Sequence, residues 1–149
     1  GHAMAAGLSI ERDRLDDFKH AFTDEVMRWV NEDDLHGTIH TDGQLDDQDY
    51  TLDLAERLRH GGPWGQGFPE PVFEGEFRVV QQRIVGERHL KMIVQPLDSA
   101  RTIDAIAFNA LDNDCPVEQQ SVRLAYRLDV NEFRGQRNLQ LMVEYLELR

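Results

Sequence analysis

The chain has 149 residues, 40% of them hydrophobic and 30% charged, a balance typical of globular rather than disordered proteins. No apolar run approaches the roughly 18 residues that cross a bilayer and no signal-peptide pattern opens the chain, so we expect neither a membrane nor a secreted protein. The single cysteine, Cys115, excludes an internal disulfide and favours a reducing, cytoplasmic setting.

The charge is unevenly distributed along the chain. The net charge of −12 argues against nucleic-acid binding, because phosphate contacts are made by Lys and Arg. Residues 1–71 carry 16 acidic against 6 basic side chains, whereas residues 72–149 carry 12 against 10. The second half is therefore nearly neutral and can present a local basic face.

The first periodic segment predicts an amphipathic helix. Ser9 is the expected N-cap, with Glu11 and Asp13 in the first turn, where the helix dipole favours acids. Hydrophobic residues then recur at helical spacing on one face: Leu15, Phe18, Phe22, Val26, Trp29 and Val30. We expect this stripe to be buried against its own chain or a neighbour.

The next segment predicts a short strand, a second helix and an irregular connection. The strand is expected at residues 38–41, and Asp49 is the expected cap of a helix over residues 52–58. Residues 62–71 are rich in Gly and Pro and fit neither a helix nor a central strand. We expect Trp64 and Phe68 in this connection to pack between the helical half and the second half of the chain.

Beyond the connection the hydrophobic period changes to two, which predicts five strands at residues 73–80, 90–95, 103–108, 122–130 and 139–145. Residues 131–137 form the expected turn between the last two, and Tyr145 is expected to point inward with Leu139, Leu141 and Val143. Closing five antiparallel strands into a barrel removes the exposed edges of an open sheet. The predicted fold class is α+β: an N-terminal helical segment followed by a five-stranded antiparallel OB-type β-barrel. An immunoglobulin-like sandwich is less favoured, since it needs about seven strands.

Three stretches together resemble the RecJ family of DHH-type phosphoesterases. They are GHAMAAG at residues 1–7, GPWGQGFPEPVF at 62–73, and the pair DAIAFN at 104–109 and NEFRG at 131–135. The middle stretch is the specific one, although Phe68 stands where the family usually has Asn. Only one glycine precedes His2, and a Gly-His-Ala-Met start is also left by tag cleavage.

The resemblance implies a parent enzyme that degrades single-stranded DNA from its 5′ end in recombination and repair, using Mn²⁺ or Mg²⁺ held by Asp and His residues. Those metal motifs are missing from this sequence, so we assign it no catalytic residue, metal ligand or cofactor and expect no activity from it alone. Residues 1–71 would be the end of the DHH-associated domain with connecting helices and linker, and residues 72–149 the OB domain. His2 would contact the substrate phosphate in the parent, beside the catalytic N-terminal domains.

Candidate DNA-binding residues lie at outward barrel positions and in loops. OB barrels bind oligonucleotides across strands two and three and the loops joining strands one to two and four to five. Phe133 is the candidate base-stacking residue. The basic candidates are Arg78, Arg83, Arg88, Lys91, Arg101, Arg123, Arg127, Arg134 and Arg137.

Two alternatives to DNA binding stay open. The basic barrel would also suit an acidic peptide, such as the tail of a single-stranded-DNA-binding protein. The barrel would otherwise act only as an architectural brace, an interpretation favoured if the arginines pair with local acids.

Overall fold

The structure, a computed structural model, describes residues 5–31, 37–86, 88–110, 118 and 120–149. The chain divides into two compact units, Gly1–Thr38 and Ile39–Arg149. None of the helices in the described ranges is long and apolar enough to span a membrane.

The described part of the first unit forms one α-helix, α1, at Leu15–Val26, which follows a 3-10 turn at Arg12–Arg14. Ser9 therefore lies outside the helix, and Arg14 occupies the N-cap without a side-chain hydrogen bond. No residue of α1 is buried, and Phe22 is 58% exposed. The described residues of this chain therefore do not bury the stripe, and its burial against a neighbour stays a prediction.

The described residues of the second unit form a 3-10 turn at Asp47–Asp49, a short α-helix and five strands. The α-helix and strands are α2 at Leu52–Arg59, β1 at Phe73–Val85, β2 at His89–Pro96, β3 at Ile103–Ala107, β4 at Ser121–Phe133 and β5 at Gln136–Leu148. Thr51, rather than the predicted Asp49, caps α2 by accepting a hydrogen bond from the Leu54 amide at 3.2 Å. Residues 38–41 form no strand. Instead, Gln44 makes an isolated bridge to Glu74.

The strands form a closed barrel in the order β1-β2-β3-β5-β4. Four neighbouring pairs are antiparallel, but β3 and β5 run parallel, with Asp104 opposite Gln140. The predicted five-stranded OB-type barrel is confirmed, and it is antiparallel except at the pair of β3 and β5. A closed ring with an odd number of strands cannot alternate direction throughout, so at least one neighbouring pair must be parallel.

Two bulges change which side chains face the core. In β1 the register steps from Val79 to Gln81, which leaves Val80 unpaired with β2. In β5 it steps over Glu144, because Val143 pairs with Tyr126 and Tyr145 with Ala125. An extra residue reverses the alternation beyond it. Tyr145 is therefore 54% exposed, contrary to the prediction that it points inward.

The core fills the barrel and continues to the segment before β1. Its largest fully buried side chains include Tyr126, Phe77, Leu90 and Met92. The helix α2 packs against β4 and β5 and buries Ala55 completely.

Candidate nucleic-acid interface

The outer faces of β2 and β3 form one side of the candidate interface. Leu90, Met92 and Val94 point into the core, so the alternating residues of β2 point outward: His89, Lys91, Ile93 and Gln95. On β3 the outward positions are Asp104 and Ile106. Lys91 Nζ lies 4.0 Å from a carboxylate oxygen of Asp104, so this cation has one weak partner within the face.

The strand β1 adds a row of cations along β2. Arg78 pairs in register with Gln95, and Arg83 with Lys91. Strict alternation from Phe77 would turn Arg83 inward. The bulge at Val80 reverses the alternation, so that Arg78 and Arg83 are both exposed on the outer side.

The hairpin between β4 and β5 carries the predicted stacking residue. The strands pair as far as Phe133 and Gln136, so the turn has two central residues instead of the predicted span 131–137. Arg134 (φ 52°) and Gly135 (φ 76°) both have positive φ, as a type I′ turn requires. Phe133 is 64% exposed, and the Arg134 guanidinium carbon lies 5.1 Å from its ring centroid. This cation–π contact places a charge beside an exposed aromatic face.

At the β1–β2 end of the face the structure adds two aromatic side chains that the sequence prediction missed. His89 begins β2, and Phe108 follows the last residue of β3. Their ring centroids lie 4.8 Å apart in an edge-to-face arrangement, and Phe108 is 51% exposed. The outward position of Phe108 follows from the alternation in β3, but only the pairing of β2 with β3 brings His89 to it.

Four of the predicted DNA-binding arginines form ion pairs within the barrel unit. Arg123 Nη2 lies 2.6 Å from Glu74, and Arg137 Nη1 lies 2.9 Å from Glu56 of α2. Arg127 contacts both Glu70 and Glu144. Arg101 donates to the Tyr50 carbonyl at 2.5 Å and lies 3.9 Å from Asp47. These arginines have partners before any ligand arrives.

The other four predicted arginines, Arg78, Arg83, Arg88 and Arg134, form no ion pair with a described residue. Arg78 and Arg83 lie on β1, Arg88 in the following turn and Arg134 in the second hairpin. These four cations therefore lie on β1 beside β2, in the β1–β2 turn and at the end of the β4–β5 hairpin.

Other predicted features lie outside this surface. His2 and Cys115 fall outside the described residues. Trp64 and Phe68 stack with ring centroids 4.9 Å apart, and Trp64 Nε1 donates to the Leu58 carbonyl at 2.8 Å. Trp64 thus ties the connection to α2, while Phe68 is 54% exposed. Across the described ranges, no three His, Cys, Asp or Glu side chains cluster as metal ligands.

A family model for the RecJ OB domain matches residues 41–145, which is more than half of the chain. The chain belongs to the RecJ family. The matched segment includes α2, the connection and nearly all of the barrel, so the surface described above lies on a RecJ OB domain.

Sequence similarity to curated relatives extends over nearly the whole chain. The chain is 53% identical over 149 residues to "Single-stranded-DNA-specific exonuclease RecJ" of Dickeya dadantii, covering 98% of this chain and 26% of that protein. It is 49% identical to the protein of the same name from Escherichia coli, covering 97% of this chain and 25% of that one. The chain therefore spans about a quarter of the length of these relatives.

Solved RecJ structures share the fold at lower sequence identity. RecJ from Thermus thermophilus in complex with Mn²⁺ aligns with a TM-score of 0.67 and 19% identity, covering 95% of this chain and 20% of that one. The complex of the same protein with Mg²⁺ gives a TM-score of 0.66 at 18% identity, over 93% and 21% of the two chains.

The electrostatics of the paired arginines suit a structural role in the RecJ OB domain. Burial lowers the pKa of Arg127, but hydrogen bonding and charge from Glu70 and Glu144 outweigh burial and raise that pKa overall. The hydrogen bond and the charge of Glu74 likewise raise the pKa of Arg123. Since each of these arginines already pairs with a carboxylate, a phosphate would be attracted to it less strongly.

Proposed function

We propose that this RecJ OB domain binds single-stranded DNA across the outer surface of β1, β2 and β3. The observation that carries the proposal is the position of the unpaired cations, because Arg78, Arg83 and Arg88 all lie on β1 or in its turn to β2. Lys91 lies between Arg83 and β3 and has only a weak ion pair. OB domains use this part of the barrel for oligonucleotides, and phosphate contacts come from Lys and Arg.

The ion pairs narrow the set of proposed DNA contacts. Arg101, Arg123, Arg127 and Arg137 are better assigned to bracing the barrel, since a phosphate would have to compete with a carboxylate for each of them. Arg134 and Phe133 remain proposed contacts in the β4–β5 hairpin, where the ring offers a stacking face and the guanidinium a charge.

The wider role is proposed from the family. Relatives carry the name of single-stranded-DNA-specific exonucleases, so we assign this OB domain to guiding the strand in a 5′→3′ exonuclease of DNA recombination and repair in the cytoplasm. The parent's Mn²⁺ or Mg²⁺ would be held by catalytic N-terminal domains of the same chain. Within that parent, residues 1–71 would complete the DHH-associated domain and linker, and His2 would meet the substrate phosphate. We expect the 149-residue chain to have no nuclease activity by itself.

Docking of an acidic peptide from a single-stranded-DNA-binding protein receives less support. A peptide site around Arg134 and Arg137 would use a cation that Glu56 already pairs at 2.9 Å. An exposed aromatic–arginine pair such as Phe133 and Arg134 also suits a stacked base.

The test is fluorescence anisotropy of a labelled oligo-dT strand with the 149-residue chain, titrated against salt and repeated with duplex. The variant Arg83→Gln, Lys91→Gln removes two neighbouring cations of the face. We expect weaker binding and a salt slope shallower by about 0.7 for each phosphate that the variant no longer neutralises. The unaltered chain should prefer the single strand to the duplex.

The matched control is Arg57→Gln, Arg59→Gln, which removes the same number of charges from exposed positions on α2. Its affinity should equal that of the unaltered chain. Equal affinities for this control and the Arg83, Lys91 variant would show that net charge, and not this face, determines binding. Absence of binding at low salt would reject the proposal.

A further inference from the structure

A pair of aromatic rings at the β1–β2 end of the face suggests a specific role in strand binding. Phe108 follows β3 on the outer side, and its ring meets the His89 ring edge-to-face at 4.8 Å. Half of the Phe108 side chain remains exposed. Exposed single aromatic residues are common on protein surfaces, so exposure alone assigns no role. The surroundings of this ring carry the inference.

The aromatic pair lies beside the cations of β1 and β2. His89 and Lys91 are two residues apart on the same face of β2, which is roughly 7 Å along a strand. Arg83 lies directly across from Lys91, and Arg88 precedes His89 in the chain. An aromatic surface next to a cationic track is the combination that binds single strands, because cations hold the phosphates while rings stack on bases.

The backbone holds the aromatic pair in place. The Asn109 amide donates to His89 Nδ1 at 3.2 Å, and the Ala110 amide donates to the Arg88 carbonyl at 3.0 Å. Asn109 takes a left-handed conformation with φ 52°. A Cβ on Gly86, itself at φ 59°, would come within 3.3 Å of the His89 ring. The rings are thus ordered before a ligand binds, which lowers the entropy cost of binding.

The hydrogen bond to His89 also fixes which ring nitrogen carries the hydrogen. Since Nδ1 accepts from the Asn109 amide, the neutral ring has its hydrogen on Nε2. Nε2 makes no hydrogen bond to a described residue and is able to donate to an oxygen acceptor. The pair therefore combines a stacking surface with one polar donor.

We infer that Phe108, supported by His89, is a second base-stacking platform for single-stranded DNA. Phe133 would stack a base on the β4–β5 hairpin, and Arg83 and Lys91 would hold phosphates next to the Phe108 platform. The register places β3 between the two sites, because its first residues pair with β5 near the hairpin and its last residue lies beside Leu90. The inference rests on the proposed DNA-binding function and adds a subsite to it.

The experiment compares two labelled probes of equal length and charge: an oligo-dT strand and an abasic strand with the same phosphates. In the 149-residue chain, Phe108→Ala should weaken oligo-dT binding by about 5-fold or more. Its affinity for the abasic strand should not change, since that strand has no base to stack. Phe108→Tyr keeps an aromatic face and should retain the affinity for oligo-dT.

The matched control is Tyr145→Ala. Tyr145 is as exposed as Phe108, at 54%, but pairs with β4 away from this face, so its removal should leave both affinities unchanged. Thermal unfolding of each variant checks that the barrel is folded. If Phe108→Ala binds oligo-dT normally while the Arg83, Lys91 variant is weakened, the platform is rejected and the proposed function stands. Equal weakening for both probes would also reject stacking. No binding by the unaltered chain would reject both proposals.

Discussion

Tyr50 and Tyr126 join the segment before β1 to the barrel core. Their hydroxyl oxygens lie 2.7 Å apart, and the two side chains are 6% and 0% exposed. The ring of Tyr126 also meets Phe77 edge-to-face at 5.5 Å. Each hydroxyl thus depends on the other for its side-chain hydrogen bond in an apolar site. Burial is the main cause that raises the pKa of both tyrosines above 10.0.

These raised pKa values predict a loss of stability in alkali. In the unfolded chain both hydroxyls ionise near pH 10.0, whereas in the folded chain they hold their protons to higher pH. The unfolded state therefore binds fewer protons above that pH, and the free energy of unfolding falls as the pH rises. Below pH 10.0 the tyrosine pair makes its full contribution to the free energy of unfolding. Urea unfolding from about pH 8 to about pH 11 should show a steeper alkaline loss in the unaltered chain than in Tyr50→Phe, Tyr126→Phe.

The single substitutions test the hydrogen bond itself. Either Tyr→Phe change leaves the other hydroxyl buried without its partner, at a cost of about 1–3 kcal/mol near neutral pH. The double variant should cost less than the sum of the two. Tyr145→Phe is the control, because Tyr145 is exposed and the loss of its hydroxyl should leave the free energy of unfolding near neutral pH unchanged. Additive single costs would contradict this account.

At the residue scale, the sequence predicted the direction of some side chains correctly and of others wrongly. Residue alternation placed the core of β4 correctly, since Val122, Leu124 and Tyr126 are fully buried. It misplaced Tyr145, because no composition signal marks Glu144 as the extra residue of a bulge. The predicted first strand ends at residue 80, which puts Arg83 in the following loop. In the structure Arg83 lies on β1, and its outward direction depends on the bulge at Val80.

At the scale of elements, Arg127 links three separate segments. It lies on β4 and contacts Glu70 in the connection and Glu144 at the bulge of β5. Nε of Arg127 is 2.6 Å from Glu144, and the arginine side chain is 34% exposed. The ion pairs thus hold the connection against the barrel at the point where β5 changes its alternation.

Replacing this link should reduce stability without reducing DNA affinity. Arg127→Met leaves two neighbouring carboxylates without their cation, and we expect the free energy of unfolding to fall by about 1–2 kcal/mol. Adding Glu144→Gln should recover part of the loss, because it removes the repulsion. Arg78→Met is the control, since Arg78 is exposed and lacks an ion pair with any residue that the structure describes; its stability should change by less than about 0.5 kcal/mol.

The variant that loses stability and the variant that loses DNA affinity should be different ones. Folded Arg127→Met should bind oligo-dT like the unaltered chain, whereas Arg78→Met should bind it more weakly. The reverse result would assign Arg127 to the interface and Arg78 to ordinary surface.

At the scale of the whole chain, the sequence predicts the barrel but not the direction in which each pair of neighbouring strands runs. The change of period after residue 72 identified five strands because each buries one face only. Parallel pairing of β3 with β5 depends on which strands meet at closure, and local alternation carries no information about that. The same limit applies to the interface: neither His89 with Phe108 nor the ion pairs of Arg127 follow from spacing in the sequence.

The distribution of buried residues predicts that residues 39–149 fold without the first 38. Among the described residues, the buried hydrophobic cluster lies between Tyr50 and Val143, and the partly buried side chains packed against it lie between Leu45 and Leu148. The helix α1 buries none of its side chains. Residues 39–149 alone should therefore show the same thermal unfolding midpoint as the full chain. The removed segment carries nine acidic and four basic residues, so its loss should leave oligo-dT affinity unchanged or increase it at low salt. Circular dichroism melts and anisotropy titrations of the two chains test this directly. A lower midpoint would mean that the first unit stabilises the barrel, and weaker binding would place part of the DNA site before residue 39.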